Sequence, residues 1–292
     1  MRLDELICSY FSQQDFVKES FATYAKTPAI FYQSAPDDKQ PDWDGRQYPR
    51  AVFVIDTQAN AERKTAGIMQ IDLYCDLEHE EPEMFESKIR ECLKDLIMQP
   101  DGDSCFAFAW SSTEMFELEY GGKDRDVSAK IVGATLRFDV LEYSNTATMI
   151  PDPVITVRNW LKNLVPDGFV IGASKADQIY KPSNEQPALY VKTSSYDTDH
   201  LTFCLAWIRS KVSIHVIAPS AEARTWWCRN IYTALMCEGN LVMEDGCTMV
   251  IQSTTVDNAA DYLTTGQISF EGLYAIPRYS EGNQPLNHVT MR

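Results

Sequence analysis

Residues 67–98 read GIMQIDLYCDLEHEEPEMFESKIRECLKDLIM, and this stretch decides the fold. Its first part alternates: Met69, Ile71 and Leu73 are apolar, with Gln70 and Asp72 between them. That is the period of a half-buried strand, predicted over about 67–75. The period then changes. Phe85, Ile89, Leu93 and Leu96 recur at helical spacing with charges on the other face, predicting a helix over about 82–98. Pro82 suits a first helical position, and Glu80, Glu81 and Glu83 suit the positive end of the helix dipole.

Working outward, Leu3, Leu6, Ile7, Tyr10 and Phe11 predict one amphipathic helix over about 3–18. A short strand, Ala29–Tyr32, runs into a polar turn-rich loop, and a β run follows over about 48–57. Two strands near 105–118 and 129–143 close the first half around the hairpin loop 121–126. The second half repeats the order. It has a helix at 153–164, a short strand at 178–180, β runs at 187–193 and 203–217, a helix at 220–237 capped by Ser220, and strands near 247–254 and 265–276.

The halves can be laid over each other. Tyr32 before Pro36 answers to Tyr180 before Pro182, and Pro49 answers to Pro187. Ile71 and Leu73 answer to Val212 and Ile214, and Leu136–Asp139 answers to Ile268–Glu271. A tandem duplication follows, with similar domains over 1–146 and 153–292 and a polar, proline-containing join near 144–153. Each domain is expected to be α+β, an antiparallel β-sheet packed with two main helices.

At 292 residues the chain has room for two cores, and 45% hydrophobic residues can fill them. No run approaches the ~20 apolar residues of a membrane span, and the N-terminal stretch lacks a signal-peptide core, so a soluble, cytosolic chain is expected. The net charge of −16 is uneven. Residues 1–150 hold 28 acids and 15 bases, a balance of −13, and the remainder carries −3. Such a surface repels nucleic acid. The eight cysteines form no CxxC pair and read as free thiols in the core.

Phe31-Tyr32-Gln33-Ser34-Ala35-Pro36-Asp37-Asp38, Tyr48-Pro49 with its β run, and Met69–Asp76 leading into the helix together resemble the tail terminator (tail completion) proteins of long-tailed phages and phage-derived particles. The resemblance covers most of residues 1–145 and, in blurred form, 153–279. It implies a structural virion protein, not an enzyme, that forms a ring at the head-proximal end of the tail tube. Its implied partners are tail tube or sheath protein and the neck connector. DNA would pass through the lumen without specific binding, and assembly would take place in the host bacterial cytoplasm. The family's ring has six single domains, so a double-domain chain implies a trimer with pseudo-sixfold symmetry, or else a hexamer. The alternative is another head–tail connector or a baseplate adaptor built from the same module.

No catalytic, cofactor or metal site is expected. Asp76–Glu81 reads as acids at a helix N-terminus, Asp101–Ser104 as a turn, and Asp37-Asp38 as a solvated loop with no nucleophile near. His215, in an apolar β run, reads as a hydrogen-bonded structural histidine. Trp207, Trp226 and Trp227 read as core or interface area. The candidate contact residues lie in two loops of mixed charge: Pro36, Asp37, Asp38, Asp42 and Trp43 in one, and Lys123, Asp124, Arg125 and Asp126 in the other.

Overall fold

The computed structural model describes residues 1–57, 66–76, 81–101, 104–120, 129–144, 151–173 and 179–278. Its first elements are α1 (Leu3–Ser12), α2 (Asp15–Ser20), β1 (Thr23–Tyr24), β2 (Thr27–Pro28), β3 (Ile30–Tyr32), β4 (Arg50–Thr57), β5 (Gly67–Asp76), α3 (Pro82–Leu93), β6 (Ile97–Met98), β7 (Ser104–Tyr120) and β8 (Ala129–Ser144). They are followed by α4 (Pro153–Leu164), β9 (Phe169–Val170), β10 (Ile179–Tyr180), β11 (Ala188–Leu201), β12 (Leu205–Ile217), α5 (Ala221–Glu238), β13 (Asn240–Val242), β14 (Thr248–Val256) and β15 (Ile268–Pro277). The described residues fall into two compact units. Unit 1 takes those within Met1–Thr146, Ser174–Pro187 and Ile217–Pro219, and unit 2 those within Ala147–Ala173, Ala188–Val216 and Ser220–Arg292.

The expectation of an α+β fold, each sheet packed with two main helices, is corrected. The chain is mostly β and is built on two curled sheets of seven and six strands. Nor are the sheets wholly antiparallel, because β3 runs parallel to β4 and β9 parallel to β11. The strands outrun their hydrophobic alternation: β7 has 17 residues, β8 has 16 and β11 has 14. Ser194–Leu201 in β11 are exposed at every position, so no buried face marks them as strand. The helices of unit 2 follow their stripes, at Pro153–Leu164 and Ala221–Glu238, but those of unit 1 are shorter. The run expected as one helix over 3–18 breaks at Gln13-Gln14 into α1 and α2. Helix α3 stops at Leu93, and Asp95 follows at φ +58°, so Leu96 lies past the helix.

In unit 1 the period-two run does what its pattern requires. Met69, Ile71, Leu73 and Cys75 are fully buried. They pack with Phe85, Ile89 and Leu93 of α3 and with Leu6, Ile7 and Phe11 of α1 in one core. The core of unit 2 joins Val157 and Leu161 of α4, Ile231 and Leu235 of α5, and the inward row Val212, Ile214 and Val216. Its helices are well capped: Asp152 accepts from the Val154 amide at 2.7 Å, and Ser220 accepts from the Ala223 amide at 3.1 Å.

The two sheets share a strand order. Unit 1 runs β10-β6-β7-β8-β5-β4-β3 and unit 2 runs β13-β14-β15-β12-β11-β9. With β3, β4, β5, β6, β7 and β8 matched to β9, β11, β12, β13, β14 and β15, the neighbours agree throughout. The helices also agree, since α1 and α4 precede each sheet and α3 and α5 fall at the same crossover. Register corrects the residue matching. Phe138 lies opposite Met69 and Phe270 opposite Val212, so Met69 and Ile71 are the counterparts of Val212 and Ile214, two residues from the pairing read in the sequence. Tyr180 is not the counterpart of Tyr32 either. Its strand β10 is the outermost strand of unit 1's sheet, beside β6, and β9 takes the place equivalent to β3.

Candidate functional site

The loop 33–49 joins β3 to β4, which lie parallel and adjacent, so it must arch back over the end of the sheet. Gln33 begins the arch at φ +69°. Trp43 anchors it: although flanked by Asp42 and Asp44, it is only 8% exposed and packs with Ala22 and Ala29. Its ring lies 5.0 Å from Tyr24 and 5.8 Å from Phe31, and its Nε1 donates to the Asp37 carbonyl at 3.1 Å. Removing that ring from water stabilises the loop by about 2 kcal/mol or more.

A second anchor is Arg50, the first residue of β4. Its guanidinium carbon lies 4.7 Å from the Tyr48 ring and 5.7 Å from the Trp43 and Tyr74 rings. Its Nη1 donates to Asp38 Oδ1, and the Tyr48 hydroxyl donates to Asp38 Oδ2 at 3.0 Å. An arginine between aromatic faces and a carboxylate is held more firmly than by either alone. Asp37 Oδ1 accepts from the Lys39 amide at 2.9 Å, and Tyr24 donates to Gln40. Arg46 reaches back to the Ser20 carbonyl at 2.7 Å.

The structure therefore divides the candidate residues of this loop. Trp43 is a buried anchor and Asp38 is engaged within the loop, while Asp37, Lys39, Gln40, Pro41 and Asp42 form its exposed crest. Pro36 is half-buried. Lys123, Asp124, Arg125 and Asp126 lie outside the described residues, as do residues 77–80 of the acidic run and 102–103 of the Asp101–Ser104 turn. Arg50 carries little local signal in the sequence beyond being a basic residue that follows Tyr48-Pro49.

Elsewhere in unit 1 an open groove of about 460 Å³ is lined by Arg2, Asp4, Tyr32, Asp101, Ser104 and Glu142, among others. Its polar groups are largely satisfied by one another: Arg2 with Asp4 at 3.0 Å, Ser104 with Glu142 at 2.6 Å, and the N-terminal amine with Asp101. In unit 2, Asp199 binds Arg209 and lies 2.8 Å from His200 Nδ1, and the His200 ring is stacked 5.3 Å from Trp207. The hydrogen bond from His200, then the Arg209 charge, hold the Asp199 carboxyl below its ordinary range. Trp226 is exposed and Trp227 packs against the core. His215 is fully buried, and its Nδ1 donates to the Tyr262 carbonyl at 2.9 Å. Among the described residues no three His, Cys, Asp or Glu side chains are placed to hold a metal ion, and no helix is long and apolar enough to cross a membrane.

No family model, curated protein or solved structure matches the chain.

Proposed function

We propose that the chain is a structural assembly protein that closes into a ring at the head-proximal end of a phage or phage-derived tail tube and joins tail to neck. The reading starts from the resemblance carried by Phe31–Asp38, Tyr48-Pro49 and Met69–Asp76. The observation that supports it most is the common strand order of the two units. Three chains, each holding two versions of one module, close a ring of six modules. A hexamer of whole chains is the other arrangement. The role is not enzymatic. The crest of loop 33–49, held by Trp43 and Arg50, is a preorganised contact surface for tube, sheath or connector protein, because little loop entropy is lost when it docks. The acidic excess lets DNA pass the lumen without being held. On this reading the chain assembles in the host bacterial cytoplasm and ends in the virion.

Native mass spectrometry and negative-stain imaging beside purified tail tubes test this. A trimeric or hexameric ring seated at one tube end, which stops tube growth, is expected. A strict monomer at micromolar concentration that leaves tubes uncapped sinks the reading.

A further inference from the structure

Two strands run far past the neighbours that cover them. Strand β6 pairs with β7 only at Phe106 and Ala107, and a register shift follows between Trp110 and Ser112. From Ser112 to Tyr120, β7 has β8 on one side and, among the described residues, no strand on the other. Strand β9 pairs with β11 only at Ala188 and Leu189. From Ser194 to Leu201, β11 has β12 on one side and, among the described residues, no strand on the other. Each run offers a row of outward backbone N–H and C=O groups, which is a template for another strand.

The runs match in length. At the rise of an antiparallel strand they span about 30 and 27 Å. Neither contains the proline or lysine with which natural edges are guarded: they read STEMFELEY and SSYDTDHL. They also sit on opposite sides of the shared strand order. The counterpart of β7 in unit 2 is β14, which β13 covers over Thr248–Val250. The counterpart of β11 in unit 1 is β4, which β3 covers over Ala51–Phe53. Past Val250 β14 continues for six residues and past Phe53 β4 continues for four, so β7 and β11 carry the longer open run on each side.

We infer that the open edge of β7 in one copy of this chain pairs with the open edge of β11 in the next copy. The inference rests on the ring reading for self-association and adds the surface that makes it. Charge favours this pairing over β7 with β7. A β7-to-β7 contact sets two halves of net −13 together, with Glu114 and Glu117 on both sides, whereas β7-to-β11 sets the −13 half against the −3 half. Strand β12, next to β11, adds Arg209 and Lys211. Exposed Met115 and Leu118 on β7, with Tyr196 and Leu201 on β11, supply apolar cross-strand partners. Because the two edges differ, the contact is head-to-tail, and it closes a ring when the rotation between copies divides the circle.

Hydrogen exchange read by mass spectrometry on the full chain, assembled and dissociated by dilution, tests the pairing, with native mass spectrometry reporting the oligomer. Amides of 112–120 and of 194–201 are both expected to slow by roughly tenfold or more on assembly, with 248–256 unchanged. An oligomer in which neither run slows overturns the pairing and leaves the ring reading standing. Protection of one run alone overturns it in favour of like-with-like contact. Protection that appears only on adding tube protein overturns it in favour of a foreign strand, and a monomer under all conditions overturns both proposals.

Discussion

Lys181 Nζ donates to the carbonyl of Cys92 at 3.0 Å across 89 residues of sequence, and to the carbonyl of Glu91 at 2.9 Å. These acceptors belong to the last turn of α3, whose terminal carbonyls have no partner within the helix. The ammonium therefore caps α3 and fastens β10 to the edge of unit 1's sheet. Lys181→Met keeps the aliphatic stem and removes the donor. It is expected to lower stability by about 1 kcal/mol, and to speed amide exchange at Ile179–Tyr180 and Ile97–Met98. Denaturant titration with exchange mass spectrometry checks both. Unchanged exchange at β10 would show that the two-residue ladder holds without the cap.

Gly133 lies opposite Phe116 in the β7–β8 ladder. A Cβ there would come within 2.3 Å of the Leu73 carbonyl oxygen and 2.3 Å of the Phe116 ring. The ring can turn aside; the backbone of the neighbouring strand cannot without breaking register. Gly133→Ala is expected to cost about 1–3 kcal/mol, the usual cost of overpacking. Combining it with Phe116→Leu should recover only the ring's share, which a double-mutant cycle measures. Full recovery would place the whole conflict in the side chain.

What was legible in the sequence follows from what each residue touches. Met69, Ile71 and Leu73, with Phe85, Ile89 and Leu93, announced a strand and a helix because each element has one buried face, and burial writes a period. Ser194–Leu201 are exposed at every position, so that strand left no period to read. Trp43 looked like a surface residue among acids; its burial depends on Ala22, Tyr24, Ala29 and Phe31, contacts no local pattern encodes. Asp38 looked solvated for the same reason, since its partners Tyr48 and Arg50 lie across the loop. Tyr180 resembled Tyr32 through a nearby proline, yet the pairing of β10 with Ile97–Met98 put it elsewhere.

Arg50 supports loop 33–49 through its planar guanidinium, which faces three rings while bonding Asp38. Lysine keeps the charge but neither stacks as a plane nor forks toward a carboxylate. Arg50→Lys is expected to destabilise unit 1 by about 1–2 kcal/mol, and to loosen the exposed crest. Limited trypsin digestion reads the second effect directly, because Lys39 sits on that crest. Cleavage after Lys39 should quicken several-fold in the variant while other sites keep their rates. Equal cleavage would mean that Trp43 alone holds the loop.

His215 gives unit 2 a defined pH dependence. Burial, then the Lys192 charge, push its imidazole down to about 4 from the ordinary 6.5. The folded state therefore keeps it neutral at pH values where the unfolded chain protonates it. Between about 6.5 and 4 the unfolded state binds the extra proton, so stability falls as pH drops through that window and levels off below it. The difference corresponds to roughly 3 kcal/mol. Gly266, at φ +84°, tightens the site, because a Cβ there would meet the His215 ring at 2.9 Å. His215→Gln retains a donor for the Tyr262 carbonyl and removes the titration. Thermal unfolding followed from pH 7 to pH 4 should show a steep fall in wild type and a shallower one in the variant. Parallel curves would assign the acid sensitivity to carboxylates elsewhere in the chain.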